Sequence, residues 1–131
     1  MKPININQKF SQFEEQWHPH QIAVVDKMQV LLAKLQGPFV WHSHKDQDEL
    51  FFVQKGTLIM HFRELNNDKE IVSEWSETIK AGELIVVPKG VEHCPATLND
   101  EEVQVLLIED LSTQHTGEIV HEKTRTQYPK I

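Results

Sequence analysis

Short apolar runs separated by turn residues constrain the fold of this chain of 131 residues more than any other feature. About nine such runs, rich in β-branched and aromatic residues, alternate with segments that contain Gly, Pro, Asn or Asp, the residues that favour turns. The runs span residues 22–25, 30–35, 39–44, 50–53, 57–62, 71–73, 84–87, 93–97 and 103–108. Strands this short and this closely spaced predict an all-β fold, either a sandwich or a barrel.

The two ends of the chain depart from this pattern. Near the N-terminus, apolar residues recur at spacings of three or four, at Ile6, Phe10, Phe13 and Trp17. This periodicity predicts a helical segment within residues 1–20, with Asn7 as its N-cap and Pro19 as its end. Its apolar face is expected to pack on the core. Residues 111–131 are polar, and we expect them to form an extended tail over the surface.

Length and composition predict one domain without a disulfide or a membrane segment. A chain of this length fits a single domain, residues 1–131, in which residues 22–110 form the β structure. The net charge of −7 disfavours nucleic acid and anionic membranes as partners. Cys94 is the only cysteine, the N-terminus lacks the apolar region of a signal peptide, and no run approaches the roughly 20 apolar residues of a membrane span. We therefore expect a cytoplasmic protein.

Two histidines and a glutamate stand close together in the segment WHSHKDQDELFF. If residues 39–44 form a strand, His42 and His44 share one face, because side chains alternate along a strand. Two imidazoles placed in this way can chelate one ion. Glu49 opens the next predicted strand, and antiparallel pairing would bring its carboxylate beside the two imidazoles.

A fourth candidate ligand lies in the segment GELIVVPKGVEHCPA, residues 82–96. A strand that begins at His93 could face the first three groups across a closed barrel. Three imidazole nitrogens and one carboxylate oxygen form a set that suits Fe, Mn, Ni, Cu or Zn. The alternative is that His42 and His44 are polar residues at a strand end, each hydrogen-bonded locally, and that Glu49 belongs to a solvated acidic turn.

The two segments resemble the two motifs of the cupin superfamily. The matching residues are Gly37, His42, His44, Glu49 and Gly56 in the first motif, and Gly82, Pro88, Gly90 and His93 in the second. The resemblance implies a jelly-roll β-barrel with a divalent transition metal inside one end, and frequent homodimers. The opening helix and the tail sequence HTGEIVHEKTRT are similar to a group of small single-domain cupins, many of which are named mannose-6-phosphate isomerase-like.

The other polar residues suggest no catalytic acid or base. His61 is predicted to face outward, opposite the apolar side chains of its strand, and Cys94 is interpreted as a buried structural thiol. The histidines His18, His20, His115 and His121 are interpreted as surface residues. A phosphosugar would favour Arg or Lys beside the metal, but Arg63 is predicted to face outward and Lys89 to lie in a turn. The sequence therefore argues against phosphosugar isomerisation.

Two functions remain open at this point. In the first, the metal acts on a small molecule in the barrel as a Lewis acid, in an isomerase or lyase, or as a dioxygenase centre. In the second, the same metal site serves a non-catalytic module that binds or senses a small molecule. A structural barrel that works through dimer contacts is a third interpretation, because one fold hosts many functions. Sheet edges that need cover predict a homodimer.

Overall fold

The strands follow the predicted apolar runs, with one exception. The computed structural model, which describes residues 1–131, contains eight strands and one short α-helix. The strands are β1 (His20–Val25), β2 (Met28–Leu35), β3 (Glu49–Lys55), β4 (Thr57–Leu65), β5 (Ile71–Lys80), β6 (Leu84–Val87), β7 (Glu92–Thr97) and β8 (Val103–Asp110), and the helix is α1 (Ile6–Phe10). Every predicted run except 39–44 forms a strand.

The strands form two antiparallel sheets. One sheet has the order β1-β2-β8-β3-β6, and the other has the order β5-β4-β7. The last strand, β8, lies between β2 and β3, so the connections cross between sheets as they do in a jelly roll. The all-β prediction is therefore confirmed, and the strand order is consistent with the jelly-roll topology.

The core lies between the inner faces of the two sheets. Along β3, β4 and β8, buried residues alternate with more exposed ones, which is the period of a strand with one face inward. The main apolar cluster contains Leu31, Ala33, Leu35, Phe51, Val53, Leu58, Met60, Phe62, Ile79, Val87, Val103, Val105 and Leu107. Both sheets contribute to this cluster, so burial of its apolar surface stabilises their packing.

The N-terminal helix is shorter than predicted. It ends at Phe10, and its N-cap is Asn5, whose side chain accepts a hydrogen bond from the backbone N–H of Gln8 at 2.9 Å. The following residues leave the helix because they pair with β2, where the N–H of Trp17 donates to the carbonyl of Lys34 at 2.8 Å. The predicted apolar stripe is nevertheless buried at Phe10, Phe13 and Trp17. No helix in the structure has the length and apolar character required to cross a membrane.

Residues 39–44 do not form a regular strand, which corrects the prediction. The segment runs beside β7 and meets it only at two isolated bridges, Pro38 with Ala96 and His42 with His93. The N–H of Phe39 donates to the carbonyl of Pro95 at 2.9 Å, but Pro95 has no N–H with which to donate a second hydrogen bond to the segment. Prolines on both sides therefore interrupt the hydrogen-bond ladder, and the segment stays irregular.

The C-terminal tail is held against the sheets by specific contacts. It contains turns and no strand, and its residues Thr113 and Thr116 are buried. At its end, the backbone of Gln21 in β1 accepts a hydrogen bond from the N–H of Ile131 and donates one to the carbonyl of Pro129. The tail is thus fixed at several points along its length.

Candidate metal centre

Three histidines converge at one end of the space between the sheets. His42 and His44 lie on the irregular segment between β2 and β3, and His93 lies on β7. One ring nitrogen from each falls within a set of atoms that all lie within 4.8 Å of one another. All three side chains are buried, and His93 is 0% exposed. Three buried imidazoles in this arrangement can hold a metal ion.

Backbone pairing brings the three rings together. His42 and His93 exchange two backbone hydrogen bonds, of 3.0 and 2.9 Å, across their bridge. The carbonyl of His44 accepts a third hydrogen bond, from the N–H of Gly90 at 2.8 Å. As a result, the ring centroids of His42 and His93 lie 4.3 Å apart, and those of His44 and His93 lie 5.6 Å apart.

Carbonyl groups fix the tautomer of two of these histidines. Nδ1 of His42 lies 2.9 Å from the carbonyl oxygen of Val40, and Nδ1 of His93 lies 2.9 Å from that of Val91. A carbonyl oxygen only accepts, so Nδ1 must carry the proton in both rings and Nε2 keeps a free lone pair in the neutral form. Metal-ligating histidines show the same outer contact, which orients the ring and raises its basicity.

Burial keeps His42 and His44 neutral. Removal from water lowers the pKa of His42 to about 3, with a further contribution from the neighbouring His93. Burial also lowers the pKa of His44, although the carboxylate of Glu49 opposes this effect. A neutral imidazole is the form that binds a metal, so the site needs to lose no proton from these two rings at neutral pH.

Glu49 faces the histidines from the other sheet. It opens β3, is 6% exposed, and places its two carboxylate oxygens 3.7 Å from Nε2 of His44 and 3.8 Å from Nε2 of His93. These separations exceed a normal hydrogen bond. Burial raises the pKa of Glu49, but the adjacent His93 ring and a hydrogen bond from Glu109 outweigh that effect and lower it to about 2. Glu49 is therefore a buried carboxylate that stays ionised.

A second buried glutamate, Glu109, lies beside Glu49. The two residues are directly opposite each other on β8 and β3, and Glu109 is 2% exposed. Burial and the charge of Glu49 raise the pKa of Glu109 well above its ordinary value, so this carboxyl group keeps its proton. Sequence reasoning missed Glu109 because the predicted strand stopped at Ile108. Extending its alternation from Val105 and Leu107 by two residues would have placed Glu109 on the inner face.

A small cavity adjoins His42 and the two glutamates. It has a volume of about 30 Å³, which is about twice the space that one water requires. Apolar side chains form most of its wall, and its polar lining residues are His42, Glu49, Glu109, His115 and Tyr128. The last two come from the tail, which was interpreted as solvated. That interpretation is wrong for His115, which is partly buried against Phe39.

The other candidate residues lie away from this cavity or have structural contacts. His20 is buried and stacks on Phe13 at 3.9 Å, so its assignment to the surface is wrong. His61 contacts Ser76 on the exposed side of β4, and Cys94 is buried as predicted. Arg63 forms an ion pair with Glu92 at 3.0 Å rather than facing the metal centre. The exposed residues of this group are His121 and Lys89.

The sequence matches the model of one protein family. The family is described as the cupin domain, and the match covers residues 28–109, from the start of β2 almost to the end of β8. This chain belongs to the cupin family. The match includes all four residues of the predicted metal site, so the cupin prediction made from the two motifs is confirmed.

Solved structures share the fold of this cupin. One is a cupin-2 domain containing protein from Shewanella frigidimarina NCIMB 400, which is 43% identical with a TM-score of 0.71 and matches 82% of this chain and 93% of its own. Another is hydroquinone 1,2-dioxygenase from Sphingomonas sp. TTNP3 with 4-hydroxybenzoate bound, which is 12% identical with a TM-score of 0.64 and matches 76% of this chain and 69% of its own. At 12% identity the second likeness concerns the fold alone.

The cupin is also similar to a protein of Bacillus subtilis (strain 168), the uncharacterized protein YdbB. The two are 38% identical over 72 residues, which is 55% of this chain and 56% of YdbB. The match therefore spans little more than half of that relative. It assigns no activity, and the function has to be argued from the site.

Proposed function

We propose that this cupin binds a divalent transition metal through His42, His44, His93 and Glu49, and that the metal acts on or binds a small molecule in the adjoining cavity. The metal is Fe, Mn, Ni, Zn or Cu, since nitrogen and oxygen ligands of this kind suit these ions and their availability in the cell decides among them. Residues 1–131 form one domain in this proposal, with the tail as its outer layer.

One observation carries the proposal. The Nε2 atoms of His44 and His93 are buried without a hydrogen-bond partner, and both face the ionised carboxylate of Glu49. In the neutral form of His93, whose Nδ1 proton is engaged with the carbonyl of Val91, the Nε2 lone pair and the carboxylate oxygens are acceptors facing acceptors. Buried polar atoms are rarely left in that state, and a cation at their meeting point would satisfy all of them.

The chemistry follows from the metal and from the residues around it. When bound, the metal would polarise an oxygen of the small molecule or serve as a centre for dioxygen. The apolar wall limits the entry of water, and the carboxyl group of Glu109 holds one proton next to Glu49. Four protein ligands leave positions open on an octahedral ion, where the small molecule can bind.

The cavity lining disfavours a sugar phosphate as that molecule. No Lys or Arg belongs to the lining residues, so no side chain there offers a charge-assisted hydrogen bond to a phosphate. None of the related proteins described above is named a mannose-6-phosphate isomerase. We therefore place the natural ligand among small molecules without a phosphate.

Metal content is the first test. We expect untagged protein, purified without added ions, to contain close to one transition metal per chain. Replacing His42 with Ala should lower zinc affinity at least about 100-fold, because even outer contacts of metal ligands are worth 10–100-fold. His61→Ala is the matched control, since that histidine lies on the outer side of β4. Metal content that His42→Ala leaves unchanged would contradict the proposed centre.

Turnover separates the enzyme from the non-catalytic alternative. The Fe, Mn, Ni and Zn forms would be screened with small carbonyl and carboxylic compounds, with the free ion as the reference. Turnover that exceeds the free ion and is lost in His93→Gln assigns an enzyme. Binding of a compound without turnover assigns the binding module.

We also propose that the chain forms a homodimer in the cytoplasm. Apolar side chains are exposed on the edge strands, at Val24 and Val25 in β1, at Ile71, Val72 and Trp75 in β5, and at Leu84 and Val86 in β6. Exposed apolar edges of this kind need cover to avoid uncontrolled pairing. A monomeric mass by light scattering at micromolar concentration would refute the dimer.

A further inference from the structure

The tail places a further histidine, His115, beside the proposed metal centre, and its hydrogen bonding is opposite to that of the ligand histidines. His115 lines the same cavity as His42 and Glu49 and lies outside the proposed ligand set. Its ring contacts Phe39 at a centroid distance of 5.1 Å and the edge of Tyr128 at 5.9 Å. No role for this residue follows from metal binding.

Several contacts hold the tail in this position. Thr116, which is 0% exposed, bonds the hydroxyl of Thr124 at 2.7 Å, and the ammonium group of Lys123 donates to the carbonyl of Pro38 at 2.7 Å. Gly117 packs against the backbone of Ser43, between the two ligand histidines, where a Cβ atom would clash. The tail is therefore fixed against the segment that carries His42 and His44.

The backbone fixes the tautomer of His115. The N–H of Arg125 donates to Nδ1 of His115 at 2.9 Å. A backbone N–H only donates, so Nδ1 must present a lone pair, and the single proton of the neutral ring lies on Nε2. Burial lowers the pKa of His115 to about 4, so the ring is neutral at pH 7. His115 is thus a hydrogen-bond donor through Nε2.

This arrangement is the reverse of the one at the metal centre. Carbonyl oxygens at Nδ1 of His42 and His93 leave Nε2 as a lone pair. An N–H at Nδ1 of His115 leaves Nε2 as a donor. The ring of His42 in this cavity and the neighbouring ring of His93 are therefore set to bind a cation. His115 is instead set to bind an acceptor atom.

Tyr128 supplies a second donor beside His115. It lines the cavity and packs against the main apolar cluster. Burial raises the pKa of its hydroxyl, and the nearby carboxyl groups of Glu109 and Glu49 add to that effect. The phenol therefore keeps its proton and can donate it to an oxygen.

We propose that His115 and Tyr128 form a pair of hydrogen-bond donors that bind an acceptor oxygen of the small molecule held at the metal. The ligand class is a small, otherwise apolar carboxylate or carbonyl compound. Its acceptor oxygen meets the two donors, and its apolar part meets side chains such as Phe39, Pro95 and Leu107. The proposal rests on the proposed function in one respect, which is that the small molecule lies beside a bound metal.

Acetate and cobalt provide a test that needs no knowledge of the natural ligand. Cobalt(II) replaces the native ion, metal content is measured first, and the visible spectrum of the cobalt protein is followed as acetate is added. Acetate should perturb the spectrum of the unaltered protein. His115→Phe keeps an aromatic ring beside Phe39 but has no donor, and it should weaken acetate binding about tenfold or more with cobalt content unchanged.

Two further variants separate the donor from the shape of the side chain. His115→Gln has an oxygen that can accept from Arg125 and an N–H that can donate, so it should restore most of the acetate affinity. Tyr128→Phe should also weaken acetate binding, because it removes the second donor with little change in packing. His121→Phe is the matched control, since His121 is an exposed histidine of the same tail, and it should change nothing.

The outcomes distinguish this proposal from the metal centre. A chain that binds no cobalt contradicts the proposed function. A chain that binds cobalt but whose spectrum does not respond to acetate, or responds equally in His115→Phe, overturns the donor pair and leaves the metal centre standing. Nitrogen NMR of the metal-free protein tests the tautomer by itself: a proton on Nδ1 of His115 would also overturn the donor pair.

Discussion

The carboxyl groups and the imidazoles of this site are positioned by different kinds of structure. Glu49 and Glu109 lie opposite each other on neighbouring strands of the five-stranded sheet, so a regular ladder sets their separation. His42 and His44 lie on an irregular segment that meets β7 at isolated bridges and is packed by the tail. Strand pairing alone therefore builds one side of the site, whereas the other side also depends on the loop and the tail.

The two sides also treat protons in opposite ways. The carboxylate side stores a proton, because burial and the charge of Glu49 keep Glu109 protonated. The imidazole side excludes protons, because burial lowers the pKa of His42 and His44. Burial disfavours whichever form is charged, so the same cause raises the pKa of an acid and lowers that of a base. This difference can be tested on the metal-free protein.

Glu109 gives the largest expected effect on stability. In Glu109→Gln the amide N–H can replace the carboxyl proton as a donor to Glu49, whereas in Glu109→Ala the buried carboxylate of Glu49 loses that donor and a cavity is left. We expect the Ala variant to be less stable than the Gln variant by about 3 kcal/mol. The measurement is urea unfolding of both variants in the presence of a chelator.

Glu92→Gln is the matched control for a glutamate that is paired outside the cavity. Glu92 forms its ion pair with Arg63, and both side chains are partly exposed. Loss of this ion pair in Glu92→Gln should change the free energy of unfolding by no more than about 1 kcal/mol. Equal stability of the Ala and Gln variants at position 109 would show that Glu109 does not donate to Glu49.

The fold was largely predictable from the sequence because apolar and polar residues alternate along the strands. Burial alternates along β3, β4 and β8, and the apolar runs mark the strands closely. Two elements were not predictable in this way. Residues 11–17 show a helical period but leave the helix to pair with β2, and residues 39–44 show a strand period but are interrupted by prolines. In both cases tertiary contacts override the local pattern.

The site was only partly predictable. His42, His44, Glu49 and His93 were singled out from their spacing, and the structure brings them together. Glu109 was missed because the predicted strand ended at Ile108, one residue before it. His115 and Tyr128 were missed because they lie in a polar tail, and polar composition says nothing about where long-range contacts place a segment. Their position depends on contacts such as that of Lys123 with Pro38, which no local pattern encodes.

Per pH unit the expected effect is smaller, and it is a pH dependence of stability with opposite signs on the two sides. The pKa of His42 is about 3 in the fold, below its ordinary value of 6.5, so as pH falls below 6.5 the unfolded chain takes up the proton first and the free energy of unfolding falls. The pKa of Glu109 is raised above its ordinary value of 4.5, so as pH rises above 4.5 the unfolded chain loses the proton first and stability falls again. Each group contributes about 1.4 kcal/mol per pH unit.

Burial also lowers the pKa of His44, and it lowers that of His115 to about 4. Below pH 6.5 the three histidines therefore affect the pH dependence of stability more than Glu109 does. We therefore expect the metal-free protein to be most stable near pH 6.5, as measured by urea unfolding across the pH range. Glu109→Gln should remove the decline between about pH 6.5 and pH 8, and His115→Phe should reduce the slope below pH 6.5 by about 1.4 kcal/mol per pH unit. Cys94 and Tyr128, whose pKa values are also raised by burial, affect stability only at higher pH. A decline between about pH 6.5 and pH 8 that persists in Glu109→Gln would therefore mean that Glu109 does not keep its proton.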